Sequence, residues 1–170
     1  PAILKGKQIV IAGDEHQMGP SRYFKTGTAE LMDLLHQANY NLNRVELQHH
    51  YRSENPQLIA FSNKHFYDNK LKAFPSTNLT SAIHHHFTEG HFIDRKNEIE
   101  ALALINSATT LLDSNETIGI VAFSEEQLSC LWNAMSDQTQ RLLTHKLDKN
   151  EAFFKTLENV QGDECDHLLI

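Results

Sequence analysis

Apolar residues along this chain come in two styles, short unbroken runs and stripes recurring every three or four positions. The first run, Gln8-Ile9-Val10-Ile11-Ala12, stretches from Lys7 into Gly13-Asp14 and predicts a strand buried on both faces. Leu31, Leu34, Leu35 and Ala38 fall at helical spacing, predicting a helix from about Thr28 to Ala38. Val45-Glu46-Leu47 alternates briefly, as a short strand does. Asn55-Pro56 sets a cap residue before a proline at the first helical position, predicting a helix to about Tyr67. Residues 74–81, rich in Pro, Ser, Thr and Asn, read as loop. Ile83, His85 and Phe87 alternate with His84 and His86, the pattern of another short strand.

The remaining pattern is stronger. Ile99, Leu102, Ala103 and the residues to Leu112 predict a helix, with Asp94 or Asn97 as candidate caps. Thr117 to Phe123 is nearly continuous apolar sequence, hence a central strand. Ser124 with Gln127 three residues later reads as a capping box, in which each side chain satisfies the other's backbone N–H. Leu128, Leu131, Trp132 and Met135 form one stripe on the helix that follows, which makes Trp132 a core residue. Asp137 to Phe154 is ambiguous, although Leu142, Leu143 and Leu147 hint at a further helix. Val160-Gln161-Gly162 then leads to a last apolar run, His167-Leu168-Leu169-Ile170. Strands alternating with helices, the strands apolar throughout, predict an α/β fold with a mostly parallel sheet.

Composition narrows the function classes. The 170 residues are 40% hydrophobic and 22% charged with seven Gly and four Pro, which excludes disorder, collagen-like repeats and a disulfide scaffold. No run approaches the ~20 apolar residues of a membrane helix. Cys130 and Cys165 lack metal spacing, and such sparse cysteine fits a reducing, cytoplasmic compartment. The net charge of −7 argues against a free-standing module that binds nucleic acid by charge alone. Apolar runs lie close to both ends, and the last stops in mid-strand, so the chain is expected to be a piece of a larger protein.

Ligands of open parallel sheets sit beyond the carboxyl ends of the strands, so the polar runs after the apolar ones are the candidates for chemistry. Gly13-Asp14-Glu15-His16-Gln17-Met18-Gly19-Pro20 offers acids, an amide and a tight turn; it reads equally as a plain strand exit. Leu47-Gln48-His49-His50-Tyr51-Arg52-Ser53-Glu54-Asn55-Pro56 sets an aromatic beside a guanidinium, able to stack on a base and grip phosphate. The alternative packs Tyr51 in the core and pairs Arg52 with Glu54. Thr156-Leu157-Glu158-Asn159-Val160-Gln161-Gly162-Asp163-Glu164 has a glycine that lets backbone approach a ligand and an acid suited to ribose hydroxyls, or is a polar turn.

Taken in order, these runs resemble motifs III, IV and V of superfamily-one helicases of the type that includes the nonsense-mediated-decay helicase. Ile59 to Tyr67 is similar to the helix after motif IV, and Ile120 to Gln127 to the strand that exits towards nucleic acid, although the common Thr-Pro-Tyr is here Phe-Ser-Glu. The run from Phe153 to Asp166 is closest to large bacterial helicase-related proteins. The resemblance implies a three-layer, RecA-like fold of the P-loop NTPase type. Residues 1–20 would end a first RecA-like domain and 21–170 would form the second, cut before motif VI. It implies an ATP-dependent helicase or translocase in which Gln17 senses the γ-phosphate, Tyr51 stacks on adenine and Arg52 reaches the γ-phosphate. Gly162 and Glu164 would lie near the γ-phosphate and ribose, and Thr156 and Ser124 on the nucleic-acid backbone. The implied partners are the first RecA-like lobe and single-stranded nucleic acid, DNA favoured by the bacterial likeness, with no membrane. ATP and Mg²⁺ are the implied cofactors, with the Mg²⁺ site outside this sequence.

No Gly-x-x-x-x-Gly-Lys-Ser/Thr loop occurs, so the piece alone is expected to be inactive. The run His84-His85-His86 invites a metal reading, but on a strand at most two of its rings share a face. Cys165 has no neighbour arranged to activate it as a nucleophile. The competing functions are a helicase-like docking module without catalysis and, with less support, a metal-dependent hydrolase.

Overall fold

The computed structural model describes residues 7, 8, 10–14, 16, 17, 45–77 and 80–170. The helix expected at 28–38 and the turn Gly19-Pro20 lie outside them. The chain divides into two compact units, Pro1–His85 and His86–Ile170.

In the first unit β1 (His49–His50) pairs in parallel with β2 (Lys72–Ala73), and α1 (Gln57–Phe66) forms the crossover. Asn55 caps α1 as its sequence suggests: Oδ1 accepts the Gln57 N–H at 3.0 Å, and its carbonyl accepts the Leu58 N–H at 3.1 Å. The exit from α1 is closed by two consecutive left-handed residues, Asp68 (φ 52°) and Asn69 (φ 58°). The Asn63 carboxamide then pairs with both backbone groups of Leu71, each bond 2.9 Å, as a neighbouring strand would. Three strand expectations fail here. Residues 45–48 are irregular and pairing starts at His49. Residues 10–14 form no strand and Val10 is 89% exposed, because no described strand lies beside them to complete a ladder. Residues 83–87 are likewise irregular, with Ile83 and Phe87 exposed; their alternation has no ladder partner.

The second unit is a three-stranded parallel sheet with helices packed on it. Its elements are α2 (Glu98–Leu112), β3 (Ile118–Ala122), α3 (Glu125–Ala134), α4 (Asp137–Asp148), β4 (Ala152–Thr156) and β5 (His167–Leu169). β3 is central, with β4 and β5 on either side. Ile118, Ile120 and Ala122 project from one sheet face into a core built with Ala101, Ile105, Ala108 and Leu112 of α2, Leu128 and Leu131 of α3, and Leu143 of α4. Burying such side chains stabilises by roughly 1.5–3 kcal/mol each, which is why this half holds the best-formed elements. Trp132 sits at the core margin, edge-on to Phe154 with centroids 6.1 Å apart. The opposite face is thin at Gly119, where a Cβ would run into the Phe153 ring and meet Leu168 Cδ1 at 2.9 Å.

The helix starts follow their caps. Asn97, not Asp94, caps α2: its Oδ1 accepts the Glu100 N–H at 3.2 Å. Asp94 instead occupies, with Arg95, a tight turn closed by the Ile93–Lys96 bridge, both residues left-handed. Ser124 accepts the Gln127 N–H at 3.1 Å, but the expected box is only half made, because the Gln127 side chain turns away to Asn97. The ambiguous stretch resolves into α4 and β4, with Ser136 capping the helix. Parallel pairing throughout makes this a mixed α/β protein, the architecture the sequence pattern predicts and one consistent with a RecA-like fold. Among the described residues no helix is long and apolar enough to cross a membrane.

Candidate functional site

Gln17, Tyr51 and Arg52 belong to the first unit; Ser124, Thr156, Gly162 and Glu164 belong to the second. Tyr51 and Arg52 leave the carboxyl end of β1 and are pushed outward by a clasp beneath them. Ser53 approaches His50 Nε2 through its hydroxyl at 2.9 Å and its backbone N–H at 3.3 Å. An N–H donor requires that nitrogen to be the unprotonated one. Arg52 is exposed, and Tyr51 is 83% exposed. The reading that packs Tyr51 into the core is therefore wrong.

Gln17 is held through Asp14. Its Nε2 donates to Asp14 Oδ2 at 3.0 Å, and Tyr67 Oη donates to the same oxygen at 2.6 Å. The His16 backbone N–H donates to Asp14 Oδ1 at 3.0 Å, and the His16 ring stands edge-on to Tyr67 with centroids 5.2 Å apart. Partial burial pushes the Asp14 carboxyl up, but the bonds from Tyr67, His16 and Gln17 outweigh it and hold it below the ordinary carboxylate value. The Tyr67 phenol is pushed up to about 12, chiefly because its proton is held by that carboxylate. Tyr67 closes the C-terminal end of α1, whereas Tyr51 and Arg52 precede its N-terminal end. Gln17 is thus gathered at one end of the helix, and the Tyr-Arg pair lies before the other.

In the second unit the strand register sets Ala122 opposite Thr156, so Ser124 and Thr156 share the carboxyl edge of β3 and β4. Both are buried, and their hydroxyls are engaged within the chain. Ser124 Oγ donates to the Arg95 carbonyl, and Thr156 Oγ1 accepts from Asn159 Nδ2 at 2.9 Å. Gly162 is the third residue of a turn closed by the Asp163 N–H on the Val160 carbonyl at 3.1 Å, and its φ of +95° suits glycine. A Cβ there would meet nothing within 4 Å. Asp163 pairs with Lys155 at 2.7 Å, tying this turn to β4, and Glu164 is exposed beside it.

Asp14 is the acid that most invites a cation, yet its oxygens already accept three hydrogen bonds. Among the described residues no group of three His, Cys, Asp or Glu is placed to hold a metal. These residues therefore do not fit Mg²⁺. Burial pushes the Cys165 thiol up, against a bond with the Gly119 backbone, so it stays protonated. Sequence reasoning assigned no role to Tyr67 beyond its place at a helix end; no local pattern marks its bond to a residue 53 positions away.

No protein-family model matches the chain, and no solved structure matches it. The chain is similar to an uncharacterized ATP-dependent helicase of Mycoplasma genitalium, 27% identical across 99% of this chain. It is equally similar to the homolog of that protein in Mycoplasma pneumoniae. It spans only 18% of the length of either relative. Similarity at this level supports a helicase-type family with ATP-dependent activity and goes no finer.

Proposed function

We propose that the chain is the second motor lobe, with the loop that precedes it, of an ATP-dependent helicase or translocase of superfamily one, in the subgroup of the nonsense-mediated-decay helicase. The observation that carries this is the exposed Tyr51-Arg52 pair at the carboxyl end of β1, clasped outward by His50 and Ser53 and followed by a capped helix. That pair suits a nucleotide held on another lobe. Tyr51 stacks on the adenine ring, a contact of about 1–3 kcal/mol by analogy with base stacking in single-strand binders. Arg52 brings a guanidinium to the γ-phosphate. A cation delivered across a cleft to a transferring phosphoryl group is worth about 10³–10⁵ in rate. Gln17 senses the same phosphate, and Gly162 and Glu164 approach the phosphate and ribose.

Single-stranded nucleic acid, DNA by preference, runs over the carboxyl edge of β3 and β4. Because their hydroxyls are engaged, Ser124 and Thr156 shape that edge and meet the backbone mainly through their main chain. Mg²⁺ belongs to residues other than these. The test is Arg52→Ala in the full-length protein. Strand-stimulated ATP hydrolysis is expected to fall by about 10³ or more while nucleotide binding persists; unchanged turnover overturns the assignment.

A further inference from the structure

The placement of Gln17 conflicts with a single shared phosphate. α1 has ten residues, about 15 Å at 1.5 Å per residue. Gln17 is drawn to its far end by Asp14 and Tyr67, while Arg52 lies before its near end. Two side chains that bond one phosphate bring their polar tips within a few ångströms of each other. The loop 13–17 must therefore leave Tyr67 before both can act.

We propose that the Tyr67–Asp14 hydrogen bond is a resting-state latch, holding the Gln17 loop away from Arg52 until nucleotide and nucleic acid draw it over. This rests on the function proposed above.

The mount of the latch is rigid. Tyr67 N–H and Asn69 N–H both donate to the Asn63 carbonyl, at 3.3 and 2.9 Å, and the Lys70 N–H donates to the Tyr67 carbonyl at 2.8 Å. With the left-handed pair Asp68-Asn69 and the Asn63–Leu71 pairing, the phenol has one place to point. The loop side is slight by comparison. Asp14 is only half-buried, and its hold on α1 consists of one hydroxyl and the edge of the His16 ring. A contact of that kind can be broken by differential ligand binding without unfolding either element. The elevated Tyr67 phenol keeps its proton through the physiological range, so the latch is set by ligands and not by neutral pH.

Tyr67→Phe removes the hydroxyl and keeps the ring against His16. In the full-length protein, ATP hydrolysis without nucleic acid is expected to rise about fivefold, the factor of one modest hydrogen bond, with the stimulated rate changing less. The stimulation ratio falls accordingly. Asp14→Asn, which weakens the same bond by removing its charge, is expected to act in the same direction. An unstimulated rate that stays at the wild-type level or drops in folded Tyr67→Phe overturns the latch while leaving the motor function standing. A wild-type protein that hydrolyses no nucleoside triphosphate, with or without a strand, overturns the function and the latch with it.

Discussion

Gln127 and Asn97, thirty residues apart, join the starts of two helices through one carboxamide. Gln127 Oε1 accepts the Asn97 N–H at 2.6 Å, and Nε2 donates to the Asn97 carbonyl at 3.2 Å. Asn97 caps α2 while Ser124, three residues before Gln127, caps α3, so the two caps form one buried assembly. Gly90 lets the chain pass over it, since a Cβ there would collide with the Asn97 carboxamide.

Replacing Gln127 by Leu strands the buried N–H and carbonyl of Asn97. The expected loss is about 2–3 kcal/mol, measurable by urea unfolding of the second unit. A loss under about 0.5 kcal/mol would mean that water replaces the carboxamide.

Gly119→Ala forces a methyl into the Phe153 ring and Leu168, neither of which has an easy retreat beneath a paired strand. Overpacking of this kind costs about 1–3 kcal/mol. Phe153→Leu in the same chain should return part of that stability, and a double variant no better than the single one rules out the clash.

Gly162→Ala meets no steric obstacle, so its cost is that of the left-handed backbone alone, about 1–2 kcal/mol. Gly162→Asn should cost less than Ala, because Asn tolerates this region better. Equal losses for the two substitutions count against a conformational cause.

The sheet has an acid-sensitive fastening. Asp166 Oδ2 accepts from the Thr117 N–H and hydroxyl, both at 2.8 Å, and the Asp166 N–H donates back to Thr117 Oγ1 at 2.8 Å. Those bonds, the backbone one foremost, hold the Asp166 carboxyl below its usual value. A depressed carboxylate contributes stability that is complete above its unfolded pKa and is lost as pH falls through the folded one. Thermal stability should therefore decline as pH drops below about 4, with less of that decline in Asp166→Ala. Parallel pH profiles for the two proteins would assign the decline elsewhere.

Much of the second unit was legible because its apolar spacing and caps agree: Asn97, Ser124 and Ser136 each stand where a helix begins. β4 escaped notice. It follows α4 without Gly or Pro, the left-handed position at the junction being filled by Asn150 at φ 58°. Strands drawn from alternation at 83–87 and from the apolar run at 7–12 failed, since a ladder depends on a partner that local pattern does not contain. The exposure of Tyr51 and the left-handed Gly162 follow from local chemistry, a strand exit and a turn. The Tyr67–Asp14 bond does not, because it joins two polar residues across a long stretch of chain.

The link between Lys155 and Asp163 has a consequence for timing. It is the one ion pair holding the Gly162 turn to β4 among the described residues, and both partners are partly open to solvent. Such a pair is worth about 0.2–1 kcal/mol, close to thermal energy, and weakens as salt rises. The turn thus swings on and off its strand without disturbing the sheet, a fast local hinge whose resting position ionic strength alone can shift.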